Sequence, residues 1–333
     1  MRVLLTTLLL LMACGRPPER TGEAPVRIGF SMDTLKEERW ARDKALVEQR
    51  AREVGATIDV QVANGDDAVQ TKQCENLLTK GIDVLIVVPH NGEIASSIVE
   101  MAHRRGVPVI AYDRMIRNAA VDLHLAHGQE KIGELQAAYA LDRVPRGNYV
   151  LIGGAPTDYS ALLYRNAQMR VLQPAIDRGD IRIISKQFAR DWRADEALRI
   201  TEDALLRTGR KIDAIVASND GTAGGAISAL EAAGVAGKVL VTGLDAEKIA
   251  LQRIVRGVQT MTIYTPIKPL AFGAVDAALK LARKEPIEAP HRINNGTHDV
   301  PSILYESIVV DRDNLDATII ADGYHSRVDV YGP

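Results

Sequence analysis

From Val26 onward, short runs of β-branched residues alternate with longer stretches in which apolar residues recur at helical spacing. Runs such as Val84–Val88 are apolar throughout, which is typical of a strand covered on both faces of a parallel sheet. The alternation predicts βαβ units. It occurs in two consecutive series, one before about residue 125 and one from Tyr149, with no long Gly/Ser-rich linker between them. We therefore expect an α/β protein made of two doubly wound parallel-sheet lobes that share a cleft.

The individual elements follow from the two periodicities of strands and helices. Predicted strands cover residues 26–30, 58–62, 84–88, 107–112 and 121–125 in the first series, and residues 149–152, 181–185, 212–217, 239–242 and 260–264 in the second. Predicted helices cover residues 38–54, 69–80, 94–105, 161–176, 194–206, 222–233, 248–255 and 270–284.

The first 25 residues have the character of a processing signal followed by a tether. Arg2 precedes an apolar stretch, Val3–Met12, that is too short to span a bilayer as a mature helix. The small residues before Cys14 resemble a bacterial lipobox, which implies a lipoprotein signal peptide over residues 1–13 and lipidation of Cys14. A plain secretory signal that happens to contain a cysteine is the alternative. Residues 14–25 then form an extended tether, and we expect a lipid-anchored protein of the bacterial cell envelope that faces the periplasm or the cell exterior.

Composition and motifs exclude several functional classes. Of the 333 residues, 46% are hydrophobic and the formal net charge is -2, so no charge field indicates a nucleic-acid partner. The sequence contains no phosphate-binding loop, dinucleotide fingerprint, nucleophile elbow or zinc-protease motif, so we expect no cofactor and no enzymatic activity. His124 and His127 lie three residues apart without a third ligand nearby, which favours ordinary surface or hinge histidines over a metal site. Cys74 is interpreted as a buried small hydrophobic residue.

Polar residues follow the predicted strands in both series, where ligands of open α/β sheets bind. Asp113 and Arg114 come directly after the strand that ends at Tyr112. Charges so close to a core must be paired, hydrogen-bonded or ligand-facing, because an unpaired buried charge costs several kcal/mol. A local ion pair that caps the strand is the alternative. Further polar strand ends cover residues 31–40, 89–91, 153–160, 218–220 and 243–245, of which Asp220 is interpreted as a helix cap.

This set of side chains fits the recognition of a carbohydrate without its hydrolysis. Carboxylates, guanidinium groups and amides can each contact two neighbouring hydroxyl groups of a sugar. The apolar face of a sugar ring packs against an aromatic plane. The sequence has only two tryptophans, Trp40 and Trp192, and both lie near strand ends. Ordinary core packing is the alternative for each of them.

Several stretches, taken in this order, resemble the periplasmic sugar-binding proteins of ABC importers. The matching stretches are Glu38–Trp40, Gln61–Gly65, Ala111–Met115, Gly133–Gln136, Ala217–Asp220 with Thr222–Gly225, Gln259–Thr262, and Asn294–Gly296 with Asp299–Ser302. The resemblance implies a type I clamshell whose two lobes are joined by a hinge that the chain crosses three times. It implies an N-terminal lobe of residues 26–129 plus 266–300 and a C-terminal lobe of residues 130–265 plus 301–333.

The resemblance also implies which residues contact the sugar. The family's contacts carry over onto Arg39, Asp113 and Arg114 of the first lobe and onto Asp158, Trp192, Asn219 and Asp245 of the second, with Trp40 as an aromatic wall. Three positions depart from the pattern of the members that bind D-xylose, which the chain resembles most. Ser160 replaces Asn, Leu244 replaces Gln, and Thr265 replaces Lys. We expect Ser160 and Thr265 to remain part of the site, whereas the exact sugar is left open.

The function implied is that of a solute-binding lipoprotein that binds a monosaccharide, D-xylose or a related aldopentose, between its lobes. As a monomer, it would deliver the sugar to an ABC permease whose ATPase subunit is a separate chain. The alternative is a sugar sensor that presents its ligand to a chemoreceptor or a histidine kinase. A repressor's effector domain, which has the same fold, would carry a helix-turn-helix segment before Val26, where this chain has a signal segment instead.

Overall fold

The computed structural model describes residues 24–333, whose strands form two main sheets and a short two-stranded sheet. The predicted signal peptide, Cys14 and most of the tether lie outside the described residues. No helix among the described residues is long and apolar enough to cross a membrane. The two-lobed α/β architecture expected from the alternating pattern is confirmed.

The first lobe is built on a seven-stranded sheet in the order β11-β12-β5-β4-β3-β1-β2. Its strands are β1 Arg27–Met32, β2 Thr57–Val62, β3 Val84–Val87, β4 Val109–Tyr112, β5 Leu123–His127, β11 His291–Asn294 and β12 Asp299–Tyr305. Its helices are α1 Glu38–Glu53, α2 Asp67–Thr79, α3 Ser96–His103 and α9 Ile267–Ala282. All neighbouring strands are parallel except β11 and β12.

Helices cover both faces of this sheet, which explains why its strands are apolar throughout. On one face, Phe30, Ile86 and Ile110 pack with residues of α1 and α9. On the other face, Leu85 and Val109 pack with residues of α2 and α3. Cys74 of α2 is fully buried there, and burial raises the pKa of its thiol to about 11, so the interpretation as a buried hydrophobic residue is confirmed.

The second lobe is built on a four-stranded parallel sheet in the order β7-β6-β8-β9. Its strands are β6 Gly147–Gly153, β7 Ile181–Phe188, β8 Ala214–Ala217 and β9 Leu240–Val241, and β10 Met261–Tyr264 pairs with β13 Ile308–Asp311 in the two-stranded antiparallel sheet beside it. Its helices are α4 Gln129–Arg143, α5 Tyr159–Asp177, α6 Ala194–Thr208, α7 Asp220–Ala232, α8 Lys248–Arg256 and α10 Arg327–Tyr331. Helices α6 and α7 cover one face of the sheet, and α4 and α5 cover the other.

The chain passes between the lobes three times, and the third passage differs from the expectation. The first two passages lie between β5 and α4 and between β10 and α9. The expected boundary at residue 300 is wrong, because β12 continues to Tyr305 and pairs with β5 in the first lobe. The third passage therefore lies between Tyr305 and Ile308.

The sequence pattern predicted neither the strands β11, β12 and β13 nor the helices α4 and α10. Strand β11 is mostly exposed, so it lacks the apolar pattern of a buried strand. Strand β12 contains Pro301, which argues against a strand in a sequence read alone. The strand predicted at residues 121–125 lies two residues later, at Leu123–His127. All five of its residues are buried, and it continues up to the hinge.

Candidate functional site

A cleft of about 350 Å³, partly open to solvent, lies where strand ends of both lobes meet. Its lining consists of Glu37, Arg39, Trp40, Asp113, Arg114, Asp158, Ser160, Tyr164, Trp192, Asn219, Leu244 and Asp245. Nine of the ten residues predicted to contact the ligand are among them.

Thr265 is the predicted site residue that the structure does not place in the cleft lining. It is buried directly after β10, where the chain turns into the hinge. The preceding Tyr264 points away from the cleft and stacks against Tyr324 with a centroid distance of 4.8 Å. Thr265 therefore lies outside the lining of the cleft.

Asp113 and Arg39 form the first-lobe end of the site. Arg39 Nη2 lies 3.0 Å from Asp113 Oδ1, and Arg39 Nε lies 3.3 Å from Asp43 Oδ2. Burial, the largest single influence, would raise the pKa of Asp113, but the charges of Arg39 and its other cationic neighbours, with the hydrogen bond from Arg39, together hold that pKa below its ordinary value. Asp113 therefore stays a carboxylate at the cleft wall.

The backbone of Asp113 adopts a strained conformation that aims this carboxylate. Its φ of 63° lies in the left-handed region, which Asp tolerates better than most residues. Two side chains bond its carbonyl oxygen: Gln129 Nε2 donates at 2.6 Å and His124 Nε2 lies at 3.3 Å. Strain of this kind persists where the surroundings over-determine it, commonly at functional sites.

Arg114 joins the two lobes through two carboxylates. Its Nη1 donates to Asp33 Oδ2 of the first lobe at 2.6 Å, and its Nε lies 2.9 Å from Asp158 Oδ2 of the second lobe. Burial opposes the positive charge, but Asp158 and Asp33 outweigh it and raise the pKa of the guanidinium. Asp113 and Arg114 each pair with a residue of another element rather than with each other.

The two tryptophans occupy opposite sides of the cleft, and each is fixed by a carboxylate. Trp40 Nε1 donates to Glu37 Oε2 at 3.1 Å, and Trp192 Nε1 donates to Asp158 Oδ2 at 3.2 Å. Trp192 has a φ of 56°. Its indole ring packs so closely on Gly154 that a Cβ atom on residue 154 would lie only 2.1 Å from the ring. Both rings are therefore held in fixed orientations at the cleft wall.

Asn219 lines the cleft and also caps a helix. The sequence indicated only its position at the ligand. It is the N-cap of α7: its Oδ1 accepts from Thr222 N at 2.9 Å and from Thr222 Oγ1 at 2.7 Å. Asp220, interpreted as the cap, instead accepts hydrogen bonds from Gln259 and Thr262 in the interior. The Nδ2 of Asn219 donates to none of the described residues, which leaves it available at the cleft.

We expect Asn219→Ala to weaken both ligand binding and stability, because it removes the cap oxygen and the amide donor together. Loss of the cap alone destabilises a protein by about 1 kcal/mol. Asn219→Asp keeps the cap oxygen and loses only the donor, so it should weaken binding while leaving the thermal midpoint nearly unchanged. Calorimetric titration and thermal unfolding of both variants measure this difference. Equal loss of binding affinity and thermal midpoint in the two variants would contradict the dual role.

Asp245 is the lining carboxylate with the weakest pairing. Its Oδ1 lies 3.8 Å from Arg39 Nη1, and its side chain accepts no hydrogen bond from the described residues. Burial raises its pKa to about 8, against the opposing charge of Arg39. Its φ of 101° is also in the left-handed region. Asp245 is therefore an acceptor at the cleft that a ligand donor can satisfy.

The raised pKa of Asp245 predicts a pH dependence of stability. Between an ordinary pKa of about 4 and the folded value of about 8, the folded state holds a proton that the unfolded state has released. The free energy of unfolding therefore falls as pH rises, by about 1.4 kcal/mol per pH unit for one such group. Urea unfolding between pH 6.5 and 8 should show a decrease of about 2 kcal/mol.

This pH interval excludes several of the other shifted groups. Asp43 and Glu247, with pKa values of about 6, change protonation mainly below it, as do His124 and His127, with pKa values of about 4. His90, whose pKa Asp33 raises, and Asp220, whose pKa burial raises well above its ordinary value, each add a decrease of the same sign. Asp245→Asn should therefore reduce the slope without removing it, whereas Asp43→Asn should keep it. An unchanged slope in Asp245→Asn would refute the assignment.

Ser160 and Leu244 make the second-lobe side of the cleft poorer in polar groups. Ser160 donates its backbone N–H to Asp158 Oδ1 at 2.9 Å, while its buried Oγ has no hydrogen-bond partner among the described residues. Leu244 packs with Tyr164 and Trp192 in an apolar cluster. A ligand hydroxyl that faces Leu244 therefore gains no hydrogen bond from its side chain.

The two histidines after β4 are buried, which corrects the expectation of surface residues. His124 and His127 are 0% and 2% exposed, and burial lowers the pKa of each to about 4, so both are neutral at pH 7. His127 lies at the hinge, in agreement with the expectation of hinge histidines. The described residues contain no group of side chains able to hold a metal ion.

Sequence reasoning missed Glu37 and Tyr164 in the lining. Glu37 lies beside the quoted Glu38–Trp40 stretch, so that stretch could have indicated it. Tyr164 lies one turn into α5 and gave no strand-end signal. Asp33 and Asp43, which pair with the two cleft arginines, were also not singled out.

A match to the model of the periplasmic binding protein domain covers residues 28–286. The chain belongs to the periplasmic binding protein family. Among curated relatives of this periplasmic binding protein, the D-xylose-binding periplasmic protein of Haemophilus influenzae is 46% identical over 92% of each chain. The D-xylose-binding periplasmic protein of Escherichia coli is 45% identical over 91% of this chain and 92% of its own.

Solved structures agree with the clamshell architecture. A carbohydrate transporter solute-binding protein from Chloroflexus aurantiacus, in complex with D-glucose, superposes with a TM-score of 0.86 at 31% identity. The alignment covers 92% of this periplasmic binding protein and 98% of that chain. The chain is a binding protein and not an enzyme, as its motifs predicted.

Proposed function

We propose that the cleft binds a monosaccharide, D-xylose or a related aldopentose, and that Arg39, Trp40, Asp113, Arg114, Asp158, Ser160, Trp192, Asn219 and Asp245 contact it. The observation that carries this proposal is the convergence of carboxylates, guanidinium groups, an amide and two fixed indole rings from both lobes on one small cleft. Planar donors and acceptors of this kind suit the adjacent hydroxyl groups of a sugar ring. Indole planes suit its C–H faces.

Contacts across the cleft support a mechanism of lobe closure. Arg114 contacts carboxylates of both lobes, and Lys36 Nζ of the first lobe donates to the carbonyl oxygen of Asp191 in the second at 2.5 Å. Since each lobe supplies half of the lining, a sugar gains all of its contacts only when the lobes are closed. Binding therefore shifts the population toward the closed clamshell.

The choice of an aldopentose rests on the relatives. Two proteins named for D-xylose share 45% and 46% identity with this chain, whereas the D-glucose complex shares 31%. On the second-lobe side of the cleft, Ser160 is small and Leu244 is apolar. These two side chains therefore offer the ligand few hydrogen bonds on that side. A site built on hydroxyl recognition discriminates between related sugars by up to about 10⁴.

Titration calorimetry with D-xylose, D-ribose, L-arabinose, D-glucose and D-galactose tests the proposal. We expect the tightest and most exothermic binding with D-xylose, accompanied by a rise in the thermal midpoint, because a ligand that binds only the folded state stabilises it. Trp192→Ala should weaken binding and remove the part of the sugar-dependent fluorescence change that comes from Trp192. No heat with any of the five sugars would refute the proposal.

The cellular role that we propose is delivery of the sugar to an ABC permease whose ATPase subunit is a separate chain, with Cys14 as the lipidated anchor. Deletion of the gene should abolish high-affinity uptake of D-xylose, and Cys14→Ala should release the protein from the membrane fraction. Normal uptake, together with loss of a sugar-induced cellular response, would instead support the sensor role.

A further inference from the structure

The C-terminal segment contacts the backbone beneath Asp245. The hydroxyl of Tyr324 donates to the carbonyl oxygen of Asp245 at 3.3 Å. His325 Nε2 lies 3.1 Å from the carbonyl oxygen of Ala246. Neither residue lines the cleft, so any effect of these two residues on a ligand must pass through Asp245 and Ala246.

The backbone that they contact is strained. Asp245 has a φ of 101° and Ala246 a φ of 51°, both in the left-handed region that side chains other than Gly disfavour. Such residues are destabilising and persist only where their surroundings fix them. A change in this backbone would turn the Asp245 carboxylate away from the cleft.

The backbone N–H and C=O groups of Asp245 and Ala246 all have hydrogen-bond partners. One segment of the chain bonds the two N–H groups, and another bonds the two C=O groups. On one side, Asp245 N donates to the Ile263 carbonyl oxygen at 2.9 Å and Ala246 N donates to Thr262 Oγ1 at 3.3 Å, both in β10. On the other side, Tyr324 and His325 bond the two carbonyl oxygens. Strand β10 and the C-terminal segment together therefore determine the conformation.

Arg42 of the first lobe holds the C-terminal segment in turn. Its guanidinium lies 4.3 Å from the centre of the Tyr324 ring and donates to the Tyr324 carbonyl oxygen. Arg42 Nη2 also lies 3.2 Å from His325 Nδ1. Because Arg42 can only donate and the Ala246 carbonyl can only accept, His325 must be the neutral tautomer with its proton on Nε2.

We propose that Tyr324 and His325 are positioning residues for ligand binding, which set the orientation of Asp245 by bonding the strained backbone of Asp245 and Ala246. This inference rests on the proposed function, because it assumes that Asp245 accepts a hydrogen bond from the bound sugar. It assigns a role in affinity to a segment about 80 residues away from Asp245 in the sequence and outside the cleft.

The test compares Tyr324→Phe and His325→Phe with the wild type by calorimetric titration with D-xylose. Tyr324→Phe keeps the ring against Arg42 and Tyr264 and removes one hydrogen bond, so affinity should fall about five-fold. His325→Phe leaves the Ala246 carbonyl and Arg42 without this partner and should lower affinity about ten-fold or more. His325→Gln, whose amide can replace Nε2–H, should recover most of the affinity.

Tyr139→Phe is the matched control. Tyr139 lies on α4, and its hydroxyl donates to Asp311 Oδ2 of β13 at 2.9 Å; neither residue lines the cleft, so the variant loses one hydroxyl hydrogen bond outside the lining. It should lower the thermal midpoint as much as Tyr324→Phe does and leave the affinity for D-xylose unchanged. In an Asp245→Asn background, Tyr324→Phe should lower affinity by less than two-fold, because the carboxylate that it positions is absent.

The outcomes distinguish this inference from the function on which it rests. If the wild type binds D-xylose and both Phe variants bind within two-fold of it, the inference is wrong and the proposed function stands. The inference is also wrong if Tyr139→Phe weakens binding as much as Tyr324→Phe. If the wild type binds none of the five sugars, the proposed function is refuted, and this inference with it.

Discussion

Asp113→Ala should abolish measurable binding of D-xylose while the protein stays folded. The substitution removes a carboxylate at the cleft wall that Arg39 helps to keep ionised against the effect of burial. Arg39 retains the carboxylate of Asp43 at 3.3 Å, so its charge is still paired after the change. The thermal midpoint without sugar should therefore fall by a few degrees, corresponding to about 1 kcal/mol for Ala at a left-handed φ.

Asp113→Asn separates the charge from the backbone. Asn tolerates the φ of 63° and keeps a similar shape, so only the negative charge and one acceptor are lost. Hydrogen bonds to charged groups contribute about 1.5–3 kcal/mol, which corresponds to a loss of affinity of about 10- to 150-fold. Titration calorimetry measures the affinity, and thermal unfolding measures the stability. A large loss of stability in Asp113→Asn with unchanged affinity would show that the ion pair with Arg39 is structural.

Arg114→Met should both destabilise the protein and abolish sugar binding. It leaves Asp33 and Asp158 in the interior without the cation that pairs them at 2.6 Å and 2.9 Å. Removal of one partner from a buried ion pair costs about 3–5 kcal/mol. Urea unfolding at pH 7 measures this loss. The deficit should shrink below pH 5, because the stranded carboxylates can then take up protons.

Two further variants show whether the geometry of Arg114 matters. Arg117→Met removes a partly exposed guanidinium that donates to the Asn295 carbonyl oxygen, and it should cost about 1 kcal/mol or less and leave affinity unchanged. Arg114→Lys keeps the charge, but a single ammonium cannot replace both Nη1 and Nε in their separate contacts. It should be more stable than Arg114→Met and still bind weakly. Wild-type affinity in Arg114→Lys would contradict a role for the two-sided contact.

Much of the site was predictable because parallel sheets bring their strand ends together. Asp113 and Asn219 lie far apart in the sequence, yet each follows an apolar strand, and the structure places both in one cleft. The same reasoning failed for Thr265, because β10 belongs to a two-stranded sheet beside the main one and its end points toward the hinge. A strand's membership in a sheet is set by pairing partners distant in the chain, which a local pattern does not contain.

Other features lay beyond the sequence pattern for similar reasons. The carboxylates that pair with Arg39 and Arg114 are recognisable only when α1, β1 and β4 are brought together. The positive φ values of Asp113 and Asp245 have no signature in residue type, since Asp is common at strand ends in ordinary conformations. The role of Tyr324 depends on a contact between the end of the chain and its middle.

The discontinuous first lobe has a consequence for the order in which the chain folds. Helix α9, which covers one face of the seven-stranded sheet, is the last to be synthesised of the helices that pack on it, and β12 follows it. Until the chain extends past α9, which ends at Ala282, the apolar residues under α9 have no cover, whereas the four-stranded sheet of the second lobe is already complete in sequence by Val241. The lobe that is second in the sequence is therefore the first that can form a closed core, and the N-terminal strands must wait for the chain to return.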